Sequence, residues 1–266
     1  MTGIGVGAAG SGMRPVIGWG NVTFSMVAFD QIVNQAAKIR YMFGGQATFP
    51  IVFHASYNNG LRSAAQHSQT GFAMYAHAGG LKLVTPTTPE NAYGLMRAAI
   101  RDDNPVVFLW GERVAGREAE VPAEGWPAAA LGEASILRTG SDVTLVAVGA
   151  TVPIAEQAAE QLARAGVSVE LIDPVSLVPL DIATIRESVI RTQRLVVLDE
   201  SFPTCSIAAE IQALVAEDPA CFRALRAPVT RVCAAAVPVP FSAVLEDFVL
   251  PDAEDVRRAI EWVMRP

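Results

Sequence analysis

Three histidines, His54, His67 and His77, are the side chains of this 266-residue chain that could exchange a proton near neutral pH without extreme tuning. His67 sits in AAQHSQTG, a polar island between two apolar stretches, where a ligand-facing loop is expected. Its chemistry would be that of a general acid or base; the plain alternative is a hydrogen-bonded loop histidine. His77 precedes AGGLKLV and could hold the same loop, and His54 closes the apolar run FPIVFHA. No G-x-S-x-G elbow is present, and Ser68 beside His67 does not make a catalytic triad. A second pattern is G-x-G-x-x-G at Gly5, Gly7 and Gly10, with Asp30 at the distance of a ribose-binding acid. Only four residues precede Gly5, too few for the strand that a phosphate cradle needs, so close packing of a small-residue helix is the competing reading. A third is AAIRDDNP, where Asp102, Asp103 and Asn104 end a helix before Pro105. It reads either as an ordinary polar helix end or as a cation site on helix-end carbonyls.

These residues need a scaffold, and the hydrophobic pattern predicts one of α/β class, in two domains with mostly parallel sheets. In the second half the apolar runs DVTLVAVGA, VSVELID, RLVVLDES and VTRVCAA alternate with helical patterns. Those helices are PIAEQAAEQLARAG, PLDIATIRESVIRT with Asp181 as N-cap, SIAAEIQALVAED, and the closing DAEDVRRAIEWVMR. The first half alternates too. A small-residue helix over 2–12 precedes a short strand RPVIGW, and SMVAFDQIVNQAAKIRYM reads as one amphipathic helix stopped by Gly44-Gly45. The strand FPIVFHA, a polar loop over 55–70, the strand LKLVTP, the helix TPENAYGLMRAAIRD and the strand PVVFLW follow. The expected domains are 1–115 and 136–266, joined by a Pro- and Gly-containing linker over 116–135.

Composition narrows the function class. The chain is 51% hydrophobic and 18% charged, yet no run reaches the length of a membrane span, so the apolar excess belongs to buried strands and subunit interfaces. A net charge of -7 argues against nucleic-acid binding. Cys205, Cys221 and Cys233, without C-x-x-C spacing, fit reduced thiols of a cytoplasmic protein and make zinc unexpected.

In order along the chain, GVGAAGSGMRPV, FDQIVNQAAK, YMFGGQ, FPIVF, AAQHSQ, HAGGLKLVTP, AAIRDDNPVVFL and VPVPFSAVLED resemble one known family. That family is the β subunit of the thiamine-diphosphate-dependent 2-oxo acid dehydrogenase E1 component, of pyruvate, branched-chain or acetoin dehydrogenase type. The resemblance implies a transketolase-like pyrimidine-binding domain followed by a transketolase C-terminal domain. It assigns His67 to the active site near the thiazolium and the acyl acceptor, and Phe24 to packing on the aminopyrimidine. Gly20 takes the place of a bulky pyrimidine-side residue. Ile51, Ala99, Ile100, Asp102 and Asn104 match positions that hold potassium, for which backbone carbonyls are suitable hard ligands. Thiamine diphosphate would be shared with an α-type subunit that holds the pyrophosphate and Mg2+, in an α2β2 assembly, with a lipoyl or acyl carrier protein as a further partner.

Departures from the family pattern are equally specific. The resemblance implies a helix and a strand before this region, ending in a cofactor-activating glutamate about three positions before Met1; completion by a partner chain is the expectation. Gly18 replaces a nearby family glutamate. The usual Arg-Gly-Pro is His54-Ala55-Ser56, and the following loop is YNNGLRS. Three alternatives therefore stand beside acyl transfer: transketolase-like two-carbon transfer, a non-catalytic partner subunit, and, on Gly5, Gly7 and Gly10 alone, a dinucleotide-binding dehydrogenase.

Overall fold

Strand β6 (Val143–Val148, VTLVAV) is buried at every position, as a central parallel strand covered on both faces must be. It lies in the computed structural model, which describes residues 1–265; Pro266, the end of the expected second domain, lies outside them. In chain order the first half runs α1 (Thr2–Gly10), β1 (Val16–Asn21), a helical stretch ending in α2 (Ala37–Met42), and β2 (Val52–Tyr57). Then come the short α3 (Ala64–His67) and α4 (Phe72–Ala76), β3 (Lys82–Val84), α5 (Pro89–Arg101) and β4 (Val106–Gly111). The second half opens with β5 (Ser135–Arg138) and β6, followed by α6 (Val152–Arg164), β7 (Val169–Asp173), β8 (Ser176–Val178) and α7 (Ile182–Thr192). It closes with β9 (Leu195–Asp199), α8 (Ile207–Glu217), α9 (Pro219–Ala224), β10 (Thr230–Cys233), α10 (Ala243–Val249) and α11 (Ala253–Val263).

Two five-stranded sheets result, in the orders β1-β2-β4-β3-β8 and β10-β9-β6-β7-β5. All pairings are parallel except β3 with β8 and β5 with β7. The expected parallel α/β architecture is therefore present. Helix starts follow the expected chemistry: the side chains of Thr88, Asp181 and Ser206 each accept an amide at a first turn, and Asp252 and Asp255 form a reciprocal capping box.

Three local expectations are corrected. The run 25–42 is not one α-helix: Val22–Ala28 is 3-10 and Gln31–Ala36 is π-helical before α2 begins. Ser25 is drawn inward onto the Val22 carbonyl and the Tyr75 hydroxyl, and the wider turn that follows brings Ile32, Ala36 and Ala37 to the core. The stretch 55–70 is not all loop, since β2 continues to Tyr57 and α3 makes one turn before Ser68. Strand β8 was not expected at all. It leaves the second half and adds an antiparallel edge to the first sheet, Leu83 opposite Val178 and Val84 opposite Ser176.

That crossing strand is one of several ties between the halves. A single apolar cluster includes Phe53, Tyr57, Leu83 and Leu109 together with Val146, Val148, Ile172 and Ile211. Tyr57 is buried; its hydroxyl accepts the Ala150 amide at 2.9 Å and shares a proton with Thr85 at 3.3 Å. Gly149 permits this approach: at φ +60° it is left-handed, and a Cβ there would lie 2.4 Å from the Tyr57 hydroxyl. Asp173, also buried, accepts the Val175 amide and the Thr87 hydroxyl, and burial pushes its carboxyl up to about 7.

The glycine pattern near the N-terminus lies in α1 and faces apolar side chains. A Cβ on Gly5 would meet Ile17 at 2.8 Å and one on Gly10 would meet Phe49 at 2.9 Å. Gly7 has open space, so two of the three glycines, not all three, are close-packing positions. The Asp30 carboxylate accepts from the Asn34 side chain at 2.8 Å.

Candidate active site

The end of β1 and the turn after α3 meet to make the site. Asn21, the last residue of β1, anchors both sides: its Nδ2 donates to the His67 carbonyl at 3.1 Å, and its Oδ1 accepts the Thr23 amide at 3.0 Å. The Thr23 hydroxyl donates to the same Oδ1 at 2.7 Å and lies 3.4 Å from His67 Nδ1. Its one proton is thus committed to Asn21, so toward His67 it can only accept. That arrangement puts the imidazole proton on Nδ1 and leaves Nε2 with its lone pair for chemistry. Phe24 meets the His67 ring edge-on at 5.2 Å and 61°, while its own side chain is 55% exposed. Gly20, at φ +72° with nothing within 4 Å of a Cβ, leaves the ground beside them bare. Of the residues singled out, Phe24 and His67 come together, oriented by Asn21 and Thr23, which sequence reasoning missed; Gly20 precedes Asn21 in β1.

An exposed aromatic, an uncovered glycine backbone and a half-buried histidine with a free nitrogen fit a flat heteroaromatic ring and a proton-transfer partner. The other histidines lie elsewhere. His54 sits within β2 opposite Phe108 rather than at a strand end; it stacks near Trp110 at 5.9 Å, and burial lowers its pKa. His77 caps the far end of α4, is exposed, and makes no side-chain hydrogen bond to the described residues, so it does not hold the His67 loop.

The loop before His67 is held from the second half. Arg62 and Ala64 adopt φ of 58° and 59°, left-handed values that cost roughly 1–2 kcal/mol each for non-glycine residues. Glu246, fully buried on α10, accepts the Gly60 amide at 2.9 Å, the Arg62 amide at 2.9 Å and the Arg62 guanidinium at 2.7 Å. Helix α10 is thus inverted: its acid points inward while Val244, Leu245 and Phe248 face solvent at 77%, 52% and 84% exposure. Glu246→Ala is expected to destabilise the fold by about 2–3 kcal/mol in urea unfolding, through loss of charge-assisted bonds to a strained loop.

Between residues 68–74 and 200–206 lies a cavity of about 180 Å³, with Asn59, Ser68, Thr70, Phe72, Glu200 and Ser201 among its walls. Glu200 is 1% exposed, and neither carboxyl oxygen has a hydrogen-bond partner. Burial pushes its carboxyl up to about 8, against a partial pull downward from Arg113 and a further push from Asp199. The signal for Glu200 in the sequence is slight: the second of two adjacent acids near the end of RLVVLDES.

Ile51, Ala99, Ile100, Asp102 and Asn104 gather where α5 ends beside β2. The Ile51 carbonyl accepts the Val106 amide at 2.9 Å. Arg14 Nη1 donates to the Ile100 and Asp102 carbonyls, both at 3.0 Å, and Arg40 donates to Asn104 Oδ1 at 2.6 Å. Lys82 pairs with Asp102. Burial alone would raise the Asp102 pKa, but Lys82 and the Asn104 donors outweigh it and hold the carboxyl below its ordinary value. Three basic side chains thus already meet the negative end of α5.

Comparison with known proteins decides the family. Residues 1–116 match the model of the transketolase pyrimidine-binding domain, and residues 132–256 match that of the transketolase C-terminal domain. The β subunit of acetoin:2,6-dichlorophenolindophenol oxidoreductase from Cupriavidus necator is 46% identical over 263 residues, 99% of this chain and 77% of that protein. The mitochondrial pyruvate dehydrogenase E1 component subunit beta-1 of rice (Oryza sativa subsp. japonica) is 47% identical over 261 residues, 97% of this chain and 69% of that protein. The chain belongs to the E1 β-subunit family. Its fold extends further still. A solved structure described as "Split gene transketolase, inactive beta4 tetramer" superposes with TM-score 0.79 at 21% identity, covering 98% of this chain and 79% of that one. E1 β subunits are parts of heteromeric, thiamine-diphosphate-dependent enzymes, so an α-type partner is implied. No helix among the described residues is long and apolar enough to cross a membrane.

Proposed function

We propose that this E1 β-type chain works with an α-type subunit, as α2β2, to decarboxylate a 2-oxo acid or cleave a ketol and pass the acyl unit to an acceptor such as a lipoyl group. The observation that carries the reading is the pairing of His67, its Nε2 free, with the exposed Phe24. The chemistry supplied by bound thiamine diphosphate is that of an electron sink for carbon–carbon cleavage. Phe24 offers its exposed face to the pyrimidine, and Gly20 leaves room for it. His67 Nε2 moves a proton at the substrate oxygen during cleavage and acyl transfer, while Thr23 and Asn21 hold the ring in the required tautomer. Residues 1–115 and 136–266 are the two functional domains, joined by 116–135.

The exposed apolar side chains support assembly. Val27, Tyr41, Met42 and Phe43 on the first half, and Phe241, Val244, Leu245 and Phe248 on the second, are more than half exposed. The pyrophosphate and Mg2+ belong to the α-type chain in this reading. Three free cysteines support a cytoplasmic setting. Potassium is proposed at the end of α5, on second lone pairs of carbonyls that Arg14 also engages. Exchange of choline chloride for potassium chloride at equal ionic strength is expected to raise the melting temperature by about 2–4 °C, in line with roughly 1 kcal/mol of linkage. An identical melting temperature in both salts removes potassium from this site.

The deciding test assembles the chain with its α-type partner, thiamine diphosphate and Mg2+, and offers pyruvate, acetoin and a ketose phosphate separately. Turnover of pyruvate or acetoin with reduction of an artificial electron acceptor is the expected result. Turnover of the ketose phosphate alone would replace it with transketolase-like transfer. An assembly in which His67→Ala changes neither cofactor binding nor partner activity would make the chain a structural subunit.

A further inference from the structure

Six buried side-chain polar atoms among the described residues lack a hydrogen-bond partner, and such orphans call for an explanation. Four belong to Asn59, Ser68 and Glu200 beside the active site. The other two are both N–H donors, Trp110 Nε1 and Arg117 Nη1, and both residues line a different cavity.

This second cavity, of about 650 Å³, lies between α5 and the outward face of β2 and β4. The strand register builds its floor. His54 stands opposite Phe108 and Ser56 opposite Trp110, so His54, Phe108 and Trp110 project from one face. The imidazole lies 5.9 Å from each of the two aromatic rings, tilted by 32° to Phe108 and 26° to Trp110. Tyr93, Met96 and Arg97 of α5 form the facing wall, and Arg117 closes one end.

The charge balance of the cavity is uneven. Arg117 Nη2 pairs with Glu156 at 3.0 Å, which neutralises that guanidinium but leaves Nη1 without an acceptor. Arg97 makes no ion pair among the described residues. Its Nη1 donates to the Tyr93 hydroxyl and the Trp126 carbonyl, both at 3.2 Å, and its guanidinium carbon lies 5.1 Å from the Tyr93 ring centre. Burial lowers the His54 pKa, which favours its neutral form. Asp173, the buried acid behind Thr87 of the cavity wall, accepts from Thr87 and the Val175 amide. Arg97 therefore carries its charge without an ion pair within 4 Å, with Glu90 and Glu124 on the adjoining surface, while the orphan groups are donors and the walls are largely apolar. The volume falls in the range of small-molecule pockets, whose few polar groups set orientation.

We propose that this cavity binds a flat monoanion, an aromatic or heteroaromatic carboxylate, at a site separate from His67. The ring lies against His54, Trp110 and Met96, and the carboxylate faces Arg97 with Arg117 at its flank. A neutral ligand of the same shape forgoes the charge-assisted bond to Arg97, which is where selectivity for an anion arises. Nothing in the assignment depends on thiamine diphosphate or on the partner subunit.

Calorimetric titration of the full chain with 2-naphthoate and with its neutral isostere 2-naphthamide tests the site. The carboxylate is expected to bind about tenfold or more tightly than the amide, a difference of about 1.4 kcal/mol. Arg97→Gln is expected to remove that preference while leaving the amide's affinity and the circular dichroism spectrum unchanged. His67→Ala, as a control, is expected to bind 2-naphthoate as the parent does. Equal affinity for carboxylate and amide, a preference that survives Arg97→Gln, or no heat up to about 1 mM ligand overturns the proposal. Loss of binding in His67→Ala would move the anion to the active site and overturn it as well.

Discussion

Replacing His67 by alanine is expected to slow acyl transfer by the assembled enzyme ~10²- to 10⁴-fold, the range removed with a positioned general acid or base. The loss should appear in kcat, with KM for the 2-oxo acid or ketol within about threefold of the parent, because the imidazole acts on a moving proton more than on bound substrate. Thr23→Val provides the finer check. It removes the acceptor that fixes the Nδ1 proton, 3.4 Å from the ring, but leaves the imidazole in place. A smaller fall, on the order of tenfold, with a shifted pH profile is expected there. If His67→Ala retains more than about a tenth of parental kcat, the histidine is not the proton carrier, and the site's chemistry must lie with the partner chain.

Glu200→Gln is expected to make the protein more stable in alkali and to leave it nearly unchanged in acid. The native carboxyl is pushed from 4.5 up to about 8, so between those values the folded state holds a proton that the unfolded state has released. Stability from this group is complete below the unfolded pKa and declines as pH rises, by about 1.4 kcal/mol per unit, until the folded pKa is passed. Above pH 8 the accumulated difference is on the order of 4–5 kcal/mol, and the amide, which never ionises, escapes it. Urea unfolding of both proteins at pH 5, 7 and 9 reads this directly. Asp173 and Asp199, also pushed up by burial, are present in both proteins. A variant no more stable than the parent at pH 9 would mean that Glu200 ionises freely, with water or an ion inside the cavity.

The effect is large because Glu200 sits where the two halves close over it, and nothing local in RLVVLDES announces that. The same holds for Glu246. Nothing in VPVPFSAVLED marks its glutamate as buried, yet α10 buries Glu246 and exposes Val244, Leu245 and Phe248. A chain that is one part of an assembly keeps apolar faces for its partners, so local hydrophobicity does not reveal the inner side of such a helix.

His67 and Phe24 were legible for opposite reasons. The histidine stands in a polar island between strands, a local signal. The phenylalanine carried weight only through the resemblance, because nothing local marks it, and its 55% exposure is a tertiary fact. Asn21 and Thr23 gave no signal, since a short hydrogen-bond chain to a residue more than forty positions away leaves no periodic trace.

By itself the sequence determined the alternation of the main strands and helices, the fully buried parallel strands, the cap at Asp181, and the family. All of these follow from side-chain periods of two or 3.6 residues and from capping chemistry, which act over a few positions. Only the tertiary structure decided that β8 crosses to the first sheet, that Tyr57 locks onto Ala150, that Glu246 braces the loop before His67, and that Arg97 faces an aromatic cavity without an ion pair. Those outcomes depend on contacts between residues far apart in the chain. Their free energy comes from burial and pairing at closure, and local sequence carries no record of which distant group will be there.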